Sequence, residues 1–387
     1  MNRSSNDLNL KIDDSSYFND LDLEGFSSML NSPSFCYKFY WLEALVKLIS
    51  EDVTITTLDE VIDEMIANAW YSVVEFHIHL SGMVEGKFRD GLENAVTKLK
   101  EVSELNSNAS KVEIKRAIKE YNNDLKPYKT QLAKMVPYRS LSGFFINEKE
   151  SPNWDSINRL VRYIEIVNSH RALPYIFGQE SGLNRTVYIN PIWKNVIQDN
   201  TVQILGWIQY EKVKWLQNNN PEVPSIVYKL QPLEDVSRKL TKVHNLWDAI
   251  LEKRSIVDIF NKKPINKNYD VDHFIPWSFV MNDELWNLVP MDSNLNSSKS
   301  NLLPRWNDFF KDFARNQYIM YEEIHSSDKM YQLYEKCYKD NLHSIWAVQE
   351  LYKKGNDKNE FTQILEKNMR PVYDSAKRQG YQVWNNI

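Results

Sequence analysis

Between residues 269 and 304 the chain reads YDVDHFIPWSFVMNDELWNLVPMDSNLNSSKSNLLP, the stretch richest in side chains that can do chemistry. Asp272 and His273 are adjacent, Asn287 follows after thirteen intervening residues, and Asn296 and Lys299 lie in a polar segment beyond. A carboxylate can hold a metal ion, an imidazole can take a proton from water, and an amide can complete the ligand set. That combination makes a metal-assisted phosphodiester-cleaving centre.

Three short elements must position these groups. Tyr269, Val271 and His273 alternate with Asp270, Asp272 and Phe274, as on a strand. Pro276 has no amide to donate, so pairing is expected to end near it. Residues 286–290, WNLVP, read as the returning strand, with 279–285 as the loop between. Residues 292–302 are expected to be a helix capped by Asp292 or Ser293, with Asn296 sharing a face with Lys299 and Ser300. Asn and Ser are poor interior helix residues, so so polar a helix is better explained by its surface than by packing. In a straight strand Asp272 and His273 point to opposite faces, so both serve one centre only if the strand bends or ends there.

The motifs DHFIPWSF, NLVP and NSSKSNLLP, in that order and spacing, resemble the HNH or ββα-metal nucleases. The likeness is nearest to the HNH domain of RNA-guided CRISPR effector nucleases and of related phage-defence and restriction proteins. It covers about thirty-six residues, under a tenth of the chain. It implies Asp272 and Asn296 as ligands of one Mg²⁺ or Mn²⁺ ion and His273 as general base. It implies Asn287 as the middle asparagine of the catalytic motif, bracing the loop rather than binding metal. Lys299 is expected as a phosphate contact. Many family members add two pairs of zinc-binding cysteines around this unit. The present chain has only Cys36 and Cys337, unpaired in sequence, so the hairpin is expected to be held by packing.

The remaining 350 or so residues read mainly as helix. Glycine is scarce at 10, while 12 Trp and 21 Tyr supply bulky core, which favours long amphipathic helices over turn-rich sheets. The net charge of −5 argues against a surface that coats nucleic acid indiscriminately. Residues 236–320 nevertheless hold twelve Lys/Arg against ten Asp/Glu, a small basic excess where a polyanion would bind. Two cysteines make no disulfide framework, the opening MNRSSNDLNLKIDD lacks a signal-peptide core, and no run reaches membrane-span length. A cytoplasmic setting without membrane association is therefore expected.

Taken in order, residues 1–33 read as an acidic tail and 34–231 as a helical regulatory or recognition region. Residues 232–310 read as the nuclease domain and 311–387 as a helical C-terminal region. Phe39, Leu42, Leu45 and Leu48 mark a helix over 35–49, and Thr57 to Glu60 is a capping box opening the next. Residues 76–80, FHIHL, suit a strand bearing His77 and His79, but no further His or Cys nearby completes a metal site. Lys111, Lys115 and Lys119 share a helix face, and Arg162 and Arg171 could reach phosphate, although both runs read first as solvated helix faces. Residues 193–216 are expected to be helical and aromatic-rich, ending in the boundary signal NNNPEVP at 218–224. Pro232 starts an amphipathic helix through Leu240, Val243, Trp247 and Ile250. After Pro304, helices are expected over 306–321, 329–354 and 360–377, the first with an aromatic stripe of Trp306, Phe309, Phe310 and Phe313. At helical spacing such a stripe is more often core than a platform for bases.

No Walker A loop, G-x-G-x-x-G or G-x-S-x-G occurs, so a nucleotide-driven step would have to come from another polypeptide, an ATPase or a sensor protein. The expected fold is mainly α, with helical regions flanking a small ββα-metal unit. The resemblance implies a DNA endonuclease of phage defence or restriction. RNA cleavage and a non-catalytic nucleic-acid-binding subunit are the alternatives, and a homo-oligomer is compatible with both.

Overall fold

A computed structural model describes residues 21–31, 33, 35–81, 83–84, 87–88, 90–231, 238–265 and 268–385. The protein is 63% helical with only small sheets, the mainly-α architecture expected from its scarce glycines and amphipathic runs. Two compact units are present: Met1–Pro221 with Lys229–Pro232, and Glu222–Tyr228 with Leu233–Ile387.

In the first unit, α1 (Tyr37–Ser50) and α2 (Leu58–Trp70) form the centre, joined through β1 (Ile55–Thr57). Both halves of the Thr57/Glu60 capping box form, which satisfies two amides at the start of α2. Around them lie α3 (Gly91–Ser103), α4 (Lys111–Glu120), α5 (Asn122–Arg139) and α6 (Ile157–Asn168). β2 (Tyr175–Phe177) and β3 (Thr186–Ile189) complete an antiparallel sheet in the order β1-β3-β2. The stretch 193–216 is helical as expected, in two helices, α7 (Pro191–Asp199) and α8 (Thr201–Asn219). The break falls at Asn200, whose φ of −117° and ψ of 23° leave helical geometry, and the Thr201 hydroxyl donates to the Ile197 carbonyl at 2.8 Å.

One other expectation changes here. Residues 76–80 are not a strand: residues 71–75 make a wide helical turn, and His77 takes a left-handed φ of 52° that breaks extension. His79 Nδ1 lies 2.8 Å from Glu93 Oε1. Lys111 and Lys115 both pair with Glu64 on α2, Lys115 at 2.6 Å, while remaining partly exposed. Arg171 donates to Asp22 at 3.0 Å and to the Phe144 carbonyl at 2.9 Å. Of the expected tail, residues 1–20 lie outside the described residues, while Leu23–Ser27 form a helical turn capped by Asp22.

The second unit has one hydrophobic core running from Val243 to Trp384. It comprises α9 (Thr241–Leu251), a hairpin of β4 (Asp270–His273) and β5 (Leu288–Met291), α10 (Ser293–Lys299), α11 (Trp306–Ile324), α12 (Asp328–Asn341) and α13 (Lys358–Arg378). The start expected at Pro232 falls partly outside the described residues, and the helix itself begins at Thr241. No division appears at 310/311, because the C-terminal helices complete the core on which the hairpin rests. Phe274, just after β4, packs 4.5 Å from Phe313 and edge-on to Trp306. The aromatic stripe of α11 is therefore buried against the hairpin rather than offered to bases. Truncating Phe274 would forfeit about 3–5 kcal/mol of that packing.

Candidate active site

The site is built on β4, β5 and α10, a ββα arrangement. The register pairs Asp270 with Met291, Asp272 with Val289 and His273 with Leu288. Asp270 and Asp272 are two apart and so share a face of β4, the one that α10 covers. Asp292 caps α10, accepting from the amides of Asn294 at 3.0 Å and Leu295 at 3.3 Å. The approach to that cap is held by buried Asp258, which accepts from the amides of Asp292 at 2.8 Å and Phe260 at 2.7 Å. Packing and this carboxylate help to hold the start of α10 against the hairpin.

With α10 so placed, Asn296 and Lys299, one turn apart, meet the two aspartates in parallel. Asn296 Nδ2 donates to Asp270 Oδ2 at 3.0 Å, which leaves the amide oxygen as the atom able to ligate. Lys299 Nζ lies 2.8 Å from Asp272 Oδ2 and donates to the His273 carbonyl at 2.8 Å. Lys299 is 1% exposed, so the amine expected to contact phosphate is here spent inside the protein.

His273 turns the other way, as alternation along a straight strand requires. Its ring is buried, with Nε2 3.1 Å from the Asn282 carbonyl and 3.2 Å from Asp283 Oδ1. Both neighbours are acceptors, so Nε2 carries the proton of the neutral ring and Nδ1 keeps the lone pair. Nδ1 is buried without a hydrogen-bond partner. Burial pushes the imidazole below its usual range, against the upward pull of Asp283. For Asp283 burial acts upward, but His273 outweighs it and holds the carboxyl below the usual range. The result is a neutral histidine with one unsatisfied basic nitrogen beside an ionised aspartate. β4 ends at His273, so the base is the last residue of the strand and Asp272 the one before it.

Asn287 is fully buried and makes a reciprocal pair with Ile275: its Oδ1 accepts from the Ile275 amide and its Nδ2 donates to the Ile275 carbonyl, each at 2.8 Å. A side chain here carries the pairing beyond His273 as far as Ile275, the residue before Pro276. Asp283 is pinned in turn, its Oδ2 accepting from the Lys239 amide at 3.1 Å and its carbonyl from Asn341 Nδ2 at 2.9 Å.

The structure thus gathers Asp272, Asn296 and Lys299 on one side of β4 and places His273 on the other, with Asn287 behind the turn. Three residues escaped the sequence reading. Asp270 was legible in principle, two positions before Asp272 on a strand of period two. Asp283 and Asp258 carried no spacing signal, since each acts through a loop.

The oxygens of Asp270, Asp272 and Asn296 are hard donors and suit a small divalent cation that keeps several waters. Among the described residues no group of three or more His, Cys, Asp or Glu is arranged to hold a metal ion, so an ion here would take solvent or substrate oxygens as well. Residues 255–305 match the family model described as HNH endonuclease. This segment is an HNH domain. No curated protein and no solved structure matches the chain. The HNH match spans Asp258, the hairpin and α10, and supports nuclease chemistry in general. The elements that pin the HNH domain, α9 and α11 to α13, lie beyond the matched segment. Among the described residues no helix is long and apolar enough to cross a membrane.

Proposed function

We propose that this protein is a metal-dependent endonuclease that hydrolyses phosphodiester bonds of DNA, in phage defence or restriction. The observation that carries the reading is His273: a buried, neutral imidazole whose tautomer is set by the Asn282 carbonyl and whose Nδ1 is left without a partner, at the strand end that also bears Asp272. A residue serving only to dock nucleic acid has no need of an unsatisfied base.

Asp272 and Asn296 would hold one Mg²⁺ or Mn²⁺ ion, with Asp270 orienting the Asn296 amide. When bound, such an ion supplies a Lewis acid that offsets charge on the leaving 3′ oxygen. His273 takes the proton of the attacking water at Nδ1, and Asp283 stabilises the imidazolium that forms. Asn287 keeps the turn after β4 rigid, which fixes the ring. Lys299 neutralises charge beside Asp272. The first unit, which carries no catalytic signature, is assigned to activation or targeting, through an ATPase or sensor partner or through self-association.

Incubating the full chain with supercoiled plasmid, single-stranded DNA and RNA, with and without Mg²⁺ or Mn²⁺, tests the reading. Nicked or linear plasmid only in the presence of metal is the expected result. Cleavage confined to RNA would overturn the substrate class, and metal-independent cleavage would overturn the chemistry.

A further inference from the structure

Lys299 is the least expected group in the site. An ammonium with 1% of its residue exposed is tolerated only where its charge is matched and its protons are bound. Here the matching charge is Asp272, the carboxylate assigned to the metal, at 2.8 Å, and a proton goes to the carbonyl of His273, the assigned base, at 2.8 Å. The position is not a chance rotamer on a surface. Lys299 closes α10, whose start is tied by the Asp292 cap and by Asp258, and Asn296 one turn earlier is tied to Asp270. The helix therefore delivers a cation to the carboxylate that a divalent ion would use.

We propose that Lys299 and a divalent cation compete for Asp272, so that Lys299 sets the affinity of the site for metal. With the ammonium on Asp272 the carboxylate is charge-balanced and the helix is docked. A second positive charge on the same carboxylate would be repelled at short range, so the amine must leave before the ion can settle. The freed amine is then available to the phosphate, the role its position in the motif implies. A site of this kind stays folded, with Asp272 charge-balanced, at low metal concentration and binds metal less tightly than its ligands alone would.

The inference rests on Asp272 being a metal ligand, and the test separates the two. Mn²⁺ binding to the full-length protein is measured by electron paramagnetic resonance, with no substrate, for wild type, Lys299→Met and Asp272→Asn. Methionine keeps the length of the buried stem and removes the charge. Lys299→Met should bind Mn²⁺ at least about tenfold more tightly than wild type, because Asp272 has lost its internal partner. Asp272→Asn should bind it more weakly. Unchanged affinity in Asp272→Asn would overturn the ligand assignment. Weakened binding in Asp272→Asn together with unchanged or weakened binding in Lys299→Met would overturn the competition alone. Should Lys299→Met not fold, the wild-type protein suffices: the slowly exchanging side-chain NH₃⁺ nuclear magnetic resonance signal of a buried lysine should be lost or shifted on adding Mg²⁺, and its persistence at saturation would sink the proposal.

Discussion

At the scale of single residues, the site divides into groups that react and groups that hold. His273→Ala should lower cleavage by about 10²–10⁴ at saturating metal, the usual loss when a general base is removed. It should also cost stability, roughly 1–3 kcal/mol, because Asp283 Oδ1 and the Asn282 carbonyl lose their buried neighbour. Wild-type cleavage by this variant would refute the assignment of the base. Asn287→Ala should behave differently. It removes both bonds to Ile275 from a fully buried position, so unfolding in urea should show a loss of about 3 kcal/mol while the Mn²⁺ affinity of the folded protein stays near wild type. An unchanged urea midpoint would mean that the turn is held by something else. Asp272, His273, Asn287 and Asn296 are legible in the sequence because each sits at a fixed distance along a hairpin and its helix. Asp283 is not, since its meeting with His273 depends on a loop whose path is pinned by Lys239 and Asn341, distant in the chain. The burial of Lys299 is equally invisible, as a lysine in so polar a segment reads as exposed.

At the scale of elements, the short helix α10 has seven residues and would not persist alone. Two aspartates settle its position, and they should be unequal. Asp292→Ala removes an N-cap and should cost about 1 kcal/mol. Asp258→Ala strips the acceptor from the buried amides of Asp292 and Phe260, and should cost about 3 kcal/mol. Differential scanning calorimetry of the two variants decides this, and a smaller loss in Asp258→Ala than in Asp292→Ala would contradict it. Strand and helix types around the site follow from local pattern, since the alternation at 269–274 and the Asp292 cap are both local signals. The errors elsewhere have the same origin. The FHIHL run alternates as a strand does, yet the amide of Ile78 donates to the Ser72 carbonyl at 2.7 Å and the chain turns instead. The chain leaves helical geometry at Asn200, a backbone change that apolar periodicity does not register.

At the scale of the whole molecule, the first unit carries its own polar anchor. Glu43 is buried with Lys212 at 2.5 Å and Lys47 at 2.9 Å. Burial opposes its charge, but the two lysines outweigh that and bring the carboxyl down to about 2. The folded value lies below the unfolded one, so the unfolded chain takes up the proton first as pH falls. The pair's contribution is complete above the ordinary glutamate range, near pH 4.5, and is lost as pH falls toward 2, about 3 kcal/mol in all. Urea unfolding of wild type and Lys212→Met across that window should give a flatter pH dependence in the variant, and equal slopes would remove Glu43 from the account. The second unit raises a different matter. Glu284, in the hairpin loop, accepts from the amides of His343 at 2.7 Å and Ser344 at 3.3 Å, and Asn341 binds the carbonyls of both Asp283 and Lys239. A cassette cut at the borders of the HNH motif would carry every candidate ligand and leave behind the struts that aim the histidine. The smallest portable nuclease in this chain is accordingly three times the length of its signature, and transplants of the signature alone into another scaffold should bind metal without cutting.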